Sequence, residues 1–196
     1  GHTNMGAGRI VWQELSKISN EIESGEFFEN DVLRAAMEHA KQGHALHLMG
    51  LLSDGGVHSH NTHLYALLKM AAKYGLKDVF VHCILDGRDV PPACAEKYIE
   101  ELQQEMDAAG CGEIATICGR FYAMDRDKRW ERVSLAYDCF TLGEGYRELS
   151  PAALMERARK DGETDEFVKP GIVAECPECG GGREDFSTSD PTAPGR

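Results

Sequence analysis

Three short apolar runs, residues 45–52, 79–85 and 113–118, constrain this chain more than anything else in it. Each is nearly free of polar residues, as a strand must be when both faces of a parallel sheet are covered. Each leads into a loop (53–60, 86–92 and 119–126) and then into a segment with helical character: 63–74, 93–109 and 127–140. Repeated strand–loop–helix units imply parallel strands with right-handed crossovers, which brings all three loops to one edge of the sheet. The fold class expected is therefore α/β, a three-layer domain with a mostly parallel sheet flanked by helices.

The flanking segments complete this picture. Helical spacing marks 10–22 and 30–41, the second with Asn30 or Asp31 as its cap and Gly43 as its stop. Ser150 and Pro151 open another helix running to about Lys160, and Pro91 and Pro92 suit the first turn of the 93–109 helix. Residues 166–168 read as a short strand-like piece. Beyond Val173 the composition turns to Gly, Pro, Ser, Thr and acids, so 174–196 reads as a disordered tail behind one domain, 1–173. Gly1 and His2 could be an expression scar, which would exclude them from fold reasoning. Gly6 and Gly8 carry a G-x-G without the preceding strand or third glycine that a phosphate loop needs.

Charge narrows the function. A net charge of −12 excludes a nucleic-acid surface, which demands a basic field. No apolar run approaches the roughly 20 residues of a membrane helix, and no leader pattern opens the chain. Seven scattered cysteines, with Cys83 and Cys118 inside apolar runs, fit reduced thiols in a cytoplasmic protein. Against this acidic background 119–132 holds Arg120, Arg126, Lys128, Arg129 and Arg132 with only three acids. Arginines at the carboxyl end of a parallel strand sit where such folds bind ligands, and the guanidinium fork fits phosphate or carboxylate in two parallel bonds. A small phosphorylated acid is the ligand this pattern points to.

Partners for those arginines come from the two earlier loops. His58, His60 and His63, with Asp54 nearby, allow a zinc reading, although Thr62 stands where the corresponding hydrolase motif has an aspartate. The preferred role for His58 is anion binding. In Asp86-Gly-Arg-Asp89, Arg88 and Asp89 form either a surface turn or a substrate arginine beside an acid/base carboxylate, and pattern alone leaves both open. Arg120 and Arg126 flank their loop, whereas Lys128, Arg129 and Arg132 read as a solvated helix face and Trp130 as core. Cys176 and Cys179 supply half of a zinc ribbon, and no second C-x-x-C exists.

Taken together, G-H-T-N-M-G-A-G-R-I over 1–10, H-L-M-G-L-L-S-D-G-G-V-H-S-H over 47–60, L-D-G-R-D over 85–89 and G-R-F-Y-A-M-D-R-D-K-R-W-E-R over 119–132 resemble cofactor-independent phosphoglycerate mutase. T-D-E-F-V-K-P over 164–170 is similar too, so the likeness spans about 1–173, the inserted transferase domain of that enzyme. The resemblance implies interconversion of 3-phosphoglycerate and 2-phosphoglycerate in glycolysis. It implies no need for 2,3-bisphosphoglycerate, and substrate contacts at His58, Arg88, Asp89, Arg120 and Arg126, with Asp89 moving the hydroxyl proton. The family's two Mn2+ and nucleophilic serine belong to an alkaline-phosphatase-like domain expected outside this chain, as are a later arginine pair and lysine. The same resemblance therefore implies a substrate-holding domain without activity by itself. The alternatives are a stand-alone phosphoglycerate-binding module and a zinc hydrolase using His58, His60 and His63.

Overall fold

The computed structural model describes Gly6 and residues 13–174. The G-x-G at Gly6 and Gly8, the start of the first helix and the Cys176/Cys179 pair in the C-terminal segment lie largely or wholly outside them. Strands β1 (Leu46–Leu52), β2 (Val79–Leu85) and β3 (Glu113–Gly119) lie side by side and parallel. All seven residues of β2 are buried, as expected for the central member. The sheet continues with two short strands, β4 (Tyr146–Glu148) and β5 (Gly171–Val173), in the order β1-β2-β3-β5-β4. β5 runs antiparallel to β3 and parallel to β4. The mostly parallel α/β sheet expected from the apolar runs is the one observed.

Helices α1 (Glu14–Ser24), α2 (Asp31–Lys41), α3 (Asn61–Lys73) and α4 (Ala95–Ala109) precede a single turn, α5 (Arg120–Ala123). Then come α6 (Trp130–Leu142) and α7 (Pro151–Lys160). Met37 of α2, Leu68 of α3, Leu102 of α4 and Leu154 of α7 share one buried core with Leu48, Val81, Cys83 and Ile117 of the sheet. On the other face Phe140 of α6 meets the His82 ring edge-on at 5.6 Å. The caps follow local chemistry: the Asn30 side chain accepts from Val32 N and Leu33 N, and Ser150 Oγ from Ala153 N.

Four local expectations are corrected. Residues 165–167 form a 3-10 turn, and the strand lies later, at Gly171–Val173, because the Asp165 side chain is drawn away to α4. Pro91 and Pro92 precede α4 rather than opening it. Helix α6 starts at Trp130, since Lys128 adopts a left-handed φ of 60° and Asp125 caps Arg129 N at 2.8 Å. Trp130 is 69% exposed, not core: α6 buries Ala136 and Cys139, and helical spacing puts Trp130 opposite them.

Candidate functional site

The loops after β1, β2 and β3 meet at one edge of the sheet, tied together by Asp86. This residue is buried, and its carboxylate accepts four bonds. Ser53 Oγ donates to Oδ2 at 2.7 Å, while the Arg88 and Asp89 amides and Arg120 Nη1 donate to Oδ1. Burial pushes the Asp86 pKa up, but the bonds from Ser53, the Asp89 amide, Arg120 and the Arg88 amide outweigh it and hold the carboxyl below its ordinary value. Asp86 thus shapes its own turn, a role that short acidic side chains perform by bonding amides two and three residues on. It also anchors the arginine of the next loop.

Arg120 is only 10% accessible, and its Nη1 stands 2.7 Å from both Asp86 Oδ1 and Asp89 Oδ2. Burial opposes its charge, yet the bonds to Asp89 and Asp86 prevail and raise its pKa above the usual value. His58 Nε2 lies 3.7 Å from the same oxygen, Asp89 Oδ2. Asp89 is therefore shared between an imidazole and a guanidinium, in a position to accept a proton from a group placed beside it.

In front of these residues opens a cleft of about 400 Å3, lined by His58, Arg88, Arg120 and Arg126 among others. The five residues singled out in the sequence thus converge, four on the wall and Asp89 against two of those four. Arg126 is exposed and, among the described residues, has no ion-pair partner.

The cleft also has members the sequence reading missed. Arg132, assigned there to a solvated face, lines the cleft, with its guanidinium stacked 3.8 Å from the centroid of the Phe121 ring and 3.5 Å from Asp125 Oδ1. Phe167 packs on Phe121 at 4.9 Å, and Glu166 Oε1 lies 3.6 Å from Arg88 Nη1. Glu166 and Phe167 come from the 3-10 turn, which is held by remote contacts. Asp165 Oδ2 accepts from Cys94 N and Ala95 N at 2.8 and 2.9 Å, capping α4 from 70 residues away, and Asp165 also pairs with Arg159. Gly87 and Gly119 leave room for the turn. A β-carbon at Gly87, whose φ is +70°, would stand 2.8 Å from Glu166 N, and one at Gly119 2.8 Å from Val168 N.

The histidine cluster does not converge on a metal. His60 Nδ1 faces Thr62 at the start of α3, His63 Nε2 meets Ser19 Oγ at 3.0 Å, and Asp54 accepts from Tyr98 Oη at 2.6 Å. Among the described residues no group of three or more His, Cys, Asp or Glu side chains is arranged to hold a metal ion. This geometry gives no support to the zinc hydrolase reading, and the described residues do not fit a manganese pair either. The five described cysteines are free thiols. No described helix is long and apolar enough to cross a membrane.

Residues 18–184 match the family described as BPG-independent PGAM N-terminus. The chain belongs to this family. Among curated relatives, the 2,3-bisphosphoglycerate-independent phosphoglycerate mutase of Acetivibrio thermocellus is 57% identical over 174 residues, 88% of this chain and 34% of the relative. The enzyme of the same name from Desulforudis audaxviator is 52% identical over the same shares. The crystal structure of Leishmania mexicana phosphoglycerate mutase at low cobalt concentration superposes with a TM-score of 0.80 at 33% identity, covering 86% of this chain and 32% of that one. The chain thus spans about a third of the length of the mutases it matches. Its family likeness covers the sheet, the three loops and the 164–168 turn.

Proposed function

We propose that this domain holds the phosphoglycerate in a mutase that interconverts 3-phosphoglycerate and 2-phosphoglycerate, and that it does so in the cytoplasm as a step of glycolysis; the relatives' name, phosphoglycerate mutase, supports the reaction. The observation that carries this reading is the cleft itself. Arg88, Arg120 and Arg126 reach one space from two loops, with the Asp89 carboxylate shared between His58 and Arg120 beside it. A phosphorylated hydroxy-acid presents two anionic ends and a hydroxyl, and this set answers each. Guanidinium groups take the phosphate and carboxylate, and Asp89 accepts the proton of the hydroxyl that receives the phosphoryl group. The described residues from 13 to 173 belong to this transferase-type domain, in keeping with the family match over 18–184.

Phosphoryl transfer needs a nucleophile and, by family resemblance, two Mn2+. Nothing in the described residues supplies that metal site. The chain by itself is accordingly a substrate-holding part whose activity depends on an alkaline-phosphatase-like domain.

Calorimetric titration of 3-phosphoglycerate at low salt tests this reading. The intact chain is expected to bind, Arg126→Ala to weaken binding about tenfold or more through loss of a charged contact, and Arg120→Ala to abolish it. Arg126 is exposed and has no ion-pair partner among the described residues, so its variant is expected to leave the fold intact. Absence of binding by the intact chain, or binding indifferent to both substitutions, overturns the proposal.

A further inference from the structure

Glu166 stands where a ligand's anion is expected. The turn that carries it is fixed on three sides: Asp165 N donates to Pro92 O at 3.0 Å, the Asp165 carboxylate caps α4, and Gly119 N donates to Val168 O at 2.7 Å. Missing β-carbons at Gly87 and Gly119 let this backbone lie directly on the loops after β2 and β3. Glu166 therefore cannot withdraw by a shift of the turn. Its carboxylate is 20% accessible and points to Arg88, which is 58% accessible and on the cleft wall. A carboxylate at a guanidinium is the same pairing that a ligand's carboxylate or phosphate would make.

We infer that Glu166 is a positioning residue acting through Arg88: an internal anion that holds this guanidinium toward the empty cleft and that an incoming anion displaces. The inference rests on reading the cleft as a site for a phosphorylated acid. Two effects follow. Arg88 is kept from folding back onto solvent-facing carboxylates, so less side-chain freedom is lost when the ligand arrives. The ligand gains Arg88 only after Glu166 gives it up, which lowers affinity and favours release. For a pair with one well-exposed partner the competition amounts to about a two- to fivefold effect on binding, which is about 0.4–1 kcal/mol.

The test is a double-mutant cycle on the intact chain, with Glu166→Gln, Arg88→Gln and the double variant, each titrated with 3-phosphoglycerate and with inorganic phosphate at low salt. Melting curves confirm that each variant folds. Glu166→Gln keeps the side chain's size and removes its charge. It is expected to bind both anions about two- to fivefold more tightly, Arg88→Gln to bind them more weakly, and Glu166→Gln to add nothing once Arg88 is gone. Unchanged or weaker binding by Glu166→Gln overturns the inference, as does a gain that persists without Arg88, which would mark a general field effect. If 3-phosphoglycerate binds no better than phosphate while Glu166→Gln still gains through Arg88, the substrate reading falls and the role of Glu166 stands. Silence of both the intact chain and Glu166→Gln toward both anions overturns the inference outright.

Discussion

Gly119 and Glu166 touch backbone to backbone: a β-carbon on Gly119 would stand 2.7 Å from the Glu166 carbonyl carbon. Backbone cannot swing aside as the end of a flexible side chain can. Gly119→Ala is expected to cost about 1–3 kcal/mol through overpacking and to push the 164–168 turn off the cleft. Urea unfolding measures the first effect. The second appears as weakened 3-phosphoglycerate binding at temperatures where the variant is fully folded. An unchanged midpoint would contradict this backbone contact.

Asp165 supports both α4 and the cleft from one carboxylate. Asp165→Ala removes the acceptor for two helix amides and leaves the Arg159 guanidinium without its buried partner. Losing a helix cap costs about 1 kcal/mol, and losing one charged hydrogen bond while Arg159 keeps its two to Glu96 about 1.5–2 more, so a loss on the order of 3 kcal/mol is expected. Asp165→Asn keeps one acceptor oxygen for the two helix amides but replaces the other, which faces Arg159, by an NH2 group that cannot accept, and its cost should fall between that of Ala and zero. Chemical unfolding of the three proteins side by side gives the order.

His82 makes stability depend on pH. It bridges the sheet, with Nε2 3.0 Å from His47 Nδ1 and Nδ1 2.9 Å from Thr116 Oγ1. Burial, and then the neighbouring His47, bring its pKa down from 6.5 to about 4. In this window the unfolded chain takes up a proton that the folded one refuses. The stabilisation is therefore complete above pH 6.5 and lost progressively as pH falls from there to about 4. The loss is on the order of 3 kcal/mol. His82→Gln is expected to be less stable at pH 7.5 and to show a shallower decline toward pH 4.5. An equal fall in unfolding free energy between pH 7.5 and pH 4.5 for His82→Gln and the unchanged chain, measured by urea unfolding, would contradict this.

Much of the fold could be read in advance because its determinants are local. A strand covered on both faces must be apolar throughout, so 79–85 announced β2 at its observed bounds. Asn30 and Ser150 cap the helices next to them, and those starts were legible for the same reason. Strands β4 and β5 have three residues each, too few for periodicity, and exist because β3 offers an edge. The site divides along the same line. His58, Arg88, Asp89, Arg120 and Arg126 lie in loops that topology brings together. Asp86 could also have been found from its D-G-R-D turn. Asp165 and Glu166 could not, since their roles depend on amides and a guanidinium that only tertiary packing delivers. Arg132 was misread because a charged residue in a helix gives no sign that an aromatic ring lies beneath it.

The long reach of the Asp165 cap has a consequence in time as well as in space. Ser53 meets Asp86 across 33 residues, Arg120 meets Asp86 across 34, and Asp165 meets Cys94 across 71. Each pairing closes a loop whose entropy is lost before the contact repays it, and chains dominated by such distant contacts fold slowly. The cleft has no early version: with two strands formed it lacks Arg120, and with three it still lacks Glu166. During synthesis the cleft cannot be completed until the turn that carries Glu166 has left the ribosome, after nearly all of the described residues.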